Sequence, residues 1–210
     1  MLFSLKPNGT YTLPSEGSRA GRMSPPDTGV GTLGVKLFLA SLSFLFAASI
    51  LLYLILLLPA EQPEVALLPV VGVGLGIATL IMLGSSVTYA GALRAIRADD
   101  RPRFARLMKW TLGLGLAFML AQSVNWAQLV GAGLPIDAEN RHSGFFVVLT
   151  VLHALHVVGG LVPLGVVTRR ASRGDYTVKH HEGVANVALY WHFLDVVWLL
   201  MLVAVVAVSV

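Results

Sequence analysis

Five stretches of this chain are apolar almost without interruption, at 35–58, 66–89, 111–134, 143–167 and 184–209. Each is long enough to cross about 30 Å of hydrocarbon as a helix. Backbone amides in hydrocarbon must be satisfied within their own segment, so the pattern predicts membrane-spanning helices. The connections are short, which makes successive helices antiparallel neighbours in one bundle. The expected fold is therefore all-α, a polytopic membrane protein with five transmembrane helices. No internal repeat is evident.

Polar residues inside the apolar runs carry the chemistry. His192 and Asp195 stand three apart in the last run, on one helix face. A carboxylate at the centre of a spanning helix disfavours insertion by about 2.5–3.5 kcal/mol, so such a group faces protein, finds partners or serves a function. His153 and His156 share a face of the fourth run. Counted from the ends of their runs, all four residues fall at similar depth, and they form one polar layer if the fourth and fifth helices touch. Four roles are open to that layer: a metal site, a haem site, a proton relay, or a clasp between helices. The clasp is favoured. A metal needs convergent geometry with supporting partners, two histidines three apart on one helix cannot sandwich a haem iron, and a relay needs a chain of groups reaching toward a surface. His156 with His192 is the one pairing left for a haem.

Other polar positions read as packing. Gly72, Gly74 and Gly76 sit at membrane depth, where no strand or water-exposed helix start is present to cradle a phosphate, and small residues there favour close helix approach. Ser85, Ser86 and Thr88 read as structural hydroxyls. Gln122, Ser123, Asn125 and Gln128 place amides on the third run, which seek interhelical hydrogen bonds.

Composition agrees, with 56% hydrophobic and 12% charged residues and a mean hydropathy of +0.76. The net charge of +4 would fit a nucleic-acid binder, but its distribution does not. Lys6, Arg19, Arg22 and Lys36 flank the first run, Arg94, Arg97, Arg101, Arg103, Arg106 and Lys109 fill the second connection, and Arg169, Arg170, Arg173 and Lys179 the fourth. Only Arg141 lies on the other side, with Glu61, Glu64, Asp137 and Glu139. The positive-inside rule then puts the N-terminus in the cytoplasm and the C-terminus outside, as an odd helix count requires. Residues 1–33, rich in Gly, Pro and Ser, form an expected mobile cytoplasmic tail with no signal-peptide core, where the Asn8-Gly9-Thr10 sequon has no consequence. Residues 34–210 form the membrane domain. Arg169, Arg170, Lys179, His180 and His181 stand where anionic lipid headgroups lie. The chain has no cysteine, which removes disulfides, thiolate metal sites, iron–sulfur clusters and thioether-linked haem.

The run Tyr190-Trp191-His192-Phe193-Leu194-Asp195-Val196-Val197-Trp198 resembles the closing signature of subunit III of haem-copper respiratory oxidases. His153-Ala154-Leu155-His156-Val157 is similar to that family's H-G-x-H-V, with Ala154 in place of glycine. Gly34-Val35-Lys36-Leu37-Phe38-Leu39-Ala40-Ser41 resembles its first-helix entry, Ser85-Ser86-Val87-Thr88 its S-S-x-T, and Gln122-Ser123-Val124-Asn125-Trp126 its Q-x-x-E-[YW]. The five runs match the bacterial five-helix form.

The resemblance implies an accessory subunit of a proton-translocating cytochrome c or quinol oxidase in a bacterial plasma membrane. Such a subunit packs on catalytic subunit I among the other oxidase subunits, binds phospholipid and supports proton uptake and turnover. It implies no catalytic, cofactor or metal site on this chain, with haem and copper in partner subunits and no nucleic-acid partner. His153, His156, His192 and Asp195 then orient helices. The alternatives are a haem- or metal-binding membrane redox protein, and a paralogue serving oxidase assembly or a nitric-oxide-reducing complex. Three departures stand out: Leu42, Asn125 and Ala185 occupy positions where the family carries buried glutamates, so roles tied to those acids do not transfer.

Overall fold

The structure, a computed structural model, describes residues 30–57, 67–133, 141–178 and 181–209. The expected tail over 1–29, and Lys179, His180, Glu61, Glu64, Asp137 and Glu139, lie outside the described residues. Five α-helices follow in order: α1 (Val30–Leu57), α2 (Leu67–Arg97), α3 (Arg101–Gly131), α4 (Arg141–Arg173) and α5 (Glu182–Ser209). All five are long and apolar enough to cross a membrane. Helix α1 begins at Val30, four residues inside the stretch assigned to the tail.

The helices outrun the apolar stretches at their basic ends. Arg94 and Arg97 ride on the last turn of α2, and Arg101, Arg103, Arg106 and Lys109 belong to α3. The connection between them is only Ala98-Asp99-Asp100. Hydropathy locates the part of a helix in hydrocarbon, but alanine, leucine and arginine extend it into the interface. Asp99 takes the left-handed conformation at φ 56°, and the Asp100 amide donates to the Ala95 carbonyl at 3.0 Å, which closes α2. Asp100 then caps α3 by accepting from the Arg103 amide at 3.0 Å, with Pro102 in the first turn. Helix α4 closes in the same way, with Gly174 at φ 76°.

Helices α2, α3, α4 and α5 pack as consecutive antiparallel neighbours. Helix α1 departs from that expectation, packing on α5 and α4 rather than on α2. Side-chain bonds fix the registers. Trp126 Nε1 donates to Thr150 Oγ1 at 3.1 Å and Thr168 Oγ1 to the Met108 carbonyl at 3.4 Å, tying α3 to α4 at two depths. Tyr89 Oη donates to the Val184 carbonyl at 3.0 Å, and Thr32 Oγ1 to Asn186 Oδ1 at 3.1 Å. The starts of α1, α3 and α5 and the ends of α2 and α4 therefore gather at one end, with the arginines.

Glycines set the closest approaches. Asn125 of α3 fills the space over Gly74 that a Cβ would occupy. At Gly115 a Cβ would lie 2.9 Å from the Trp191 ring, and at Gly160 2.8 Å from the Tyr190 ring. Gly76 meets nothing within 4 Å and is exposed, so of these two glycines of α2 it is Gly74 that makes the contact. Gly74→Ala must displace a buried amide, and we expect a loss of about 1–3 kcal/mol in unfolding of the detergent-solubilised chain. Gly76→Ala is expected to change stability by no more than about 0.5 kcal/mol. Circular dichroism against denaturant distinguishes the two.

Candidate functional site

Successive residues on a helix point about 100° apart, so the nine-residue run on α5 turns its side chains toward all four other helices. Tyr190 lies over Gly160 of α4, donates from Oη to the His156 carbonyl at 2.8 Å and stacks on Phe38 of α1. Trp191, completely buried, lies against Gly115 of α3 and donates from Nε1 to Ser85 Oγ of α2 at 3.0 Å. Phe193 meets Phe46 of α1. Trp198 donates from Nε1 to Thr79 Oγ1 of α2 at 3.0 Å and meets Phe118 edge-on at 5.0 Å. Each indole N–H buried in an apolar site has found an acceptor.

The four expected polar residues divide into two pairs. His153 is fully buried on α4, its ring surrounded by those of Phe46, Phe118 and Trp198, and neither ring nitrogen has a hydrogen-bond partner. His156 is half-buried, 4.9 Å from the Phe46 ring. Its Nδ1 lies 2.7 Å from the Leu152 carbonyl, and since a carbonyl only accepts, Nδ1 carries the proton. This pair looks toward α1 and the aromatic core.

His192 and Asp195 look instead toward α2. His192 Nδ1 lies 2.7 Å from Ser86 Oγ and 3.4 Å from Asp195 Oδ2, and its ring meets Tyr89 at 6.0 Å. Asp195 is 5% exposed, and neither oxygen has a hydrogen-bond partner. No hydrogen bond or ring contact among the described residues joins this pair to His153 and His156. Trp198 touches the His153 ring from α5 and bonds to Thr79 of α2, and Tyr190 bonds to the His156 carbonyl, so the α4 histidines meet α5 through these two aromatic residues. Among the described residues no three His, Asp or Glu side chains converge on a place for a metal ion. His156 meets Phe46 of α1, whereas His192 meets Ser86 and Tyr89 of α2.

The positions that lack the expected acids fall in three settings. Leu42 is buried in α1, one turn from Phe46. Asn125 is buried and donates from Nδ2 to Gln122 Oε1 at 3.3 Å. Ala185 lines a groove of about 310 Å³ at the basic end, together with Thr32, Arg97, Glu182, Asn186 and His192. Sequence reasoning missed that groove because Arg97 reads as a loop residue and Glu182 precedes the apolar run that starts at 184. The available signal was the spacing of Glu182, Asn186, Leu189 and His192, which places them on one stripe of α5. Arg169 and Arg170 are exposed at the basic end of α4, and His181 starts α5 by accepting from the Val184 amide at 3.0 Å.

Comparison with known proteins adds an independent finding. A family model described as cytochrome c oxidase subunit III matches residues 14–210. A cytochrome c oxidase subunit 3 from Synechocystis is 35% identical over 209 residues, covering 94% of this chain and 82% of that protein. One from Thermostichus vulcanus is 36% identical over 177 residues, covering 80% and 83%. One from Corynebacterium diphtheriae is 34% identical over 121 residues, covering 58% of each. With nearly the whole chain matched and the five helices in place, the chain belongs to the cytochrome c oxidase subunit III family.

Proposed function

We propose that this chain is a non-redox accessory subunit of a haem-copper terminal oxidase in a bacterial plasma membrane, with its basic end in the cytoplasm. It packs on the haem-bearing catalytic subunit and supports proton uptake and turnover there. The observation that carries this reading is the use of the α5 run. Tyr190, Trp191, Phe193 and Trp198 are all engaged in joining α5 to the other helices. The outward faces are apolar, with Leu37, Phe44, Leu51 and Ile55 of α1 and Val73, Ile77, Leu80 and Val87 of α2 all exposed. Such faces suit lipid on one side and a partner subunit on another.

Phospholipid is the second expected partner. Arg169, Arg170 and Arg173 are exposed on the last turns of α4, at the depth of headgroups if the basic end is cytoplasmic. Each such charge contributes about 1 kcal/mol of attraction to an anionic leaflet.

Two outcomes are expected. A mild-detergent pull-down of the tagged chain from its native membrane brings down a large haem-bearing subunit and oxygen-consuming activity, while the chain alone is colourless. A chain that emerges alone with a Soret band contradicts the reading. Replacing Arg169 and Arg170 together by glutamine lowers the anionic phospholipid retained by the purified chain, measured by lipid mass spectrometry; unchanged lipid contradicts headgroup binding there.

A further inference from the structure

Two observations on the α2-facing side of α5 have no explanation in packing. Asp195 is buried near the middle of α5, about 20 Å from Glu182 at a rise of 1.5 Å per residue; neither oxygen makes a hydrogen bond, and Oδ2 has only the His192 ring at 3.4 Å. A buried polar atom without a partner marks a missing ligand or a functional strain. Beside it, His192 spans the distance between the carboxyl group and the groove at the basic end. Its Nδ1 faces Ser86 Oγ at 2.7 Å and Asp195 Oδ2 at 3.4 Å, while the side chain remains 38% exposed and lines the groove. Nε2 makes no hydrogen bond among the described residues and is not sealed from solvent, on a ring that lines the groove.

The ligand class follows from what surrounds the carboxyl. A metal cation needs several converging oxygens, and the hydroxyl of Ser86 already lies against His192. A proton needs no coordination shell. We propose that Asp195 is a proton-loading site of this subunit, filled through His192 from the groove bounded by Thr32, Arg97, Glu182, Ala185 and Asn186. A proton from groove water binds His192 Nε2; the ring, now carrying both protons, passes the one on Nδ1 to Asp195 Oδ2. The N–H bond at Nδ1 breaks, an O–H bond forms, the carboxylate becomes a neutral acid and the ring returns to neutral. Unloading runs the same steps in reverse. A small rotation of Asp195 brings the 3.4 Å separation to hydrogen-bond length.

The titratable and charged groups on this route are few. From α2 come Tyr89, whose hydroxyl is committed to the Val184 carbonyl, and Arg97 at the mouth; from α5 come Glu182, His192 and Asp195 itself. Helix α1 contributes only the hydroxyl of Thr32 to the groove. The α4 histidines meet α5 elsewhere, His153 through Trp198 and His156 through Tyr190. Among the described residues, His192 is therefore the one ionisable side chain that both lines the groove and meets the buried carboxyl.

This inference deepens the accessory-subunit reading, since it assigns residues to the support of proton uptake, yet it is tested separately. Infrared difference spectra are recorded on the full chain purified from its membrane, labelled with isotopic aspartate and stepped between neutral and acidic pH. The expected result is a protonated-carboxyl band that shifts with the label and is lost in Asp195→Asn. Ala185→Phe fills the groove without touching His192 or Asp195, and it slows the appearance of that band; His192→Leu slows it further. A wild-type spectrum with no Asp195 band across the pH steps overturns the proposal, and so does a band that appears equally fast in Ala185→Phe. Co-purification of the catalytic subunit bears only on the accessory reading, so each can fail without the other.

Discussion

Everything in this bundle depends on seating one aromatic helix among four others. Lipid tails are as apolar as leucine, so burial of hydrocarbon alone gives helices in a membrane little reason to choose one another. The choice comes from close packing and from polar groups that find acceptors only on a neighbouring helix. Helix α5 supplies both. Its Tyr190 and Trp191 rings lie in hollows left by Gly160 and Gly115, and its indole and phenol donors reach Ser85, Thr79 and the His156 carbonyl. The small residue on one helix and the large ring on the other are a single fitted contact, so a change on either side disturbs both.

That arrangement also explains why α1 sits where it does. The α2–α3 turn is three residues long and commits those helices to each other, leaving the open side of α4 and α5 for α1. Phe46 closes that side, meeting His153, His156 and Phe193 together. His153 is thereby sealed among aromatic rings, whereas His192 stays in reach of the groove. Two histidine environments arise from one bundle, one enclosed by rings of three helices and one beside the groove.

The helices were legible in the sequence because uninterrupted apolar runs have one meaning in a membrane protein. Their ends were less legible, since Arg94 through Lys109 continue the helices beyond the hydrocarbon and only Asp99 and Asp100 mark the turn. The four polar residues were found, but spacing along each helix gives depth and not azimuth relative to a third helix. A single polar layer is the expectation from 153, 156, 192 and 195; the contacts among the described residues link His192 with Asp195 and leave His153 among aromatic rings. The partner of α1 was not legible, because consecutive order suggests α2 and only tertiary fit assigns α4 and α5. The groove escaped because it needs three helix ends brought together, as Thr32 with Asn186 and Arg97 beside Glu182 show.

The central claim is that the α5 run serves assembly, with its tryptophans acting as fitted joints. The direct measurement is the amount of assembled oxidase and the oxygen turnover per haem when Trp191 and Trp198 are replaced by leucine, beside Val196→Ala and Val203→Ala on the exposed face. The account predicts that the tryptophan replacements sharply reduce the assembled amount while turnover per haem in the remaining complex stays near wild type, and that the outward replacements change neither. Full assembly of the Trp191 and Trp198 variants, with turnover lost, would contradict it.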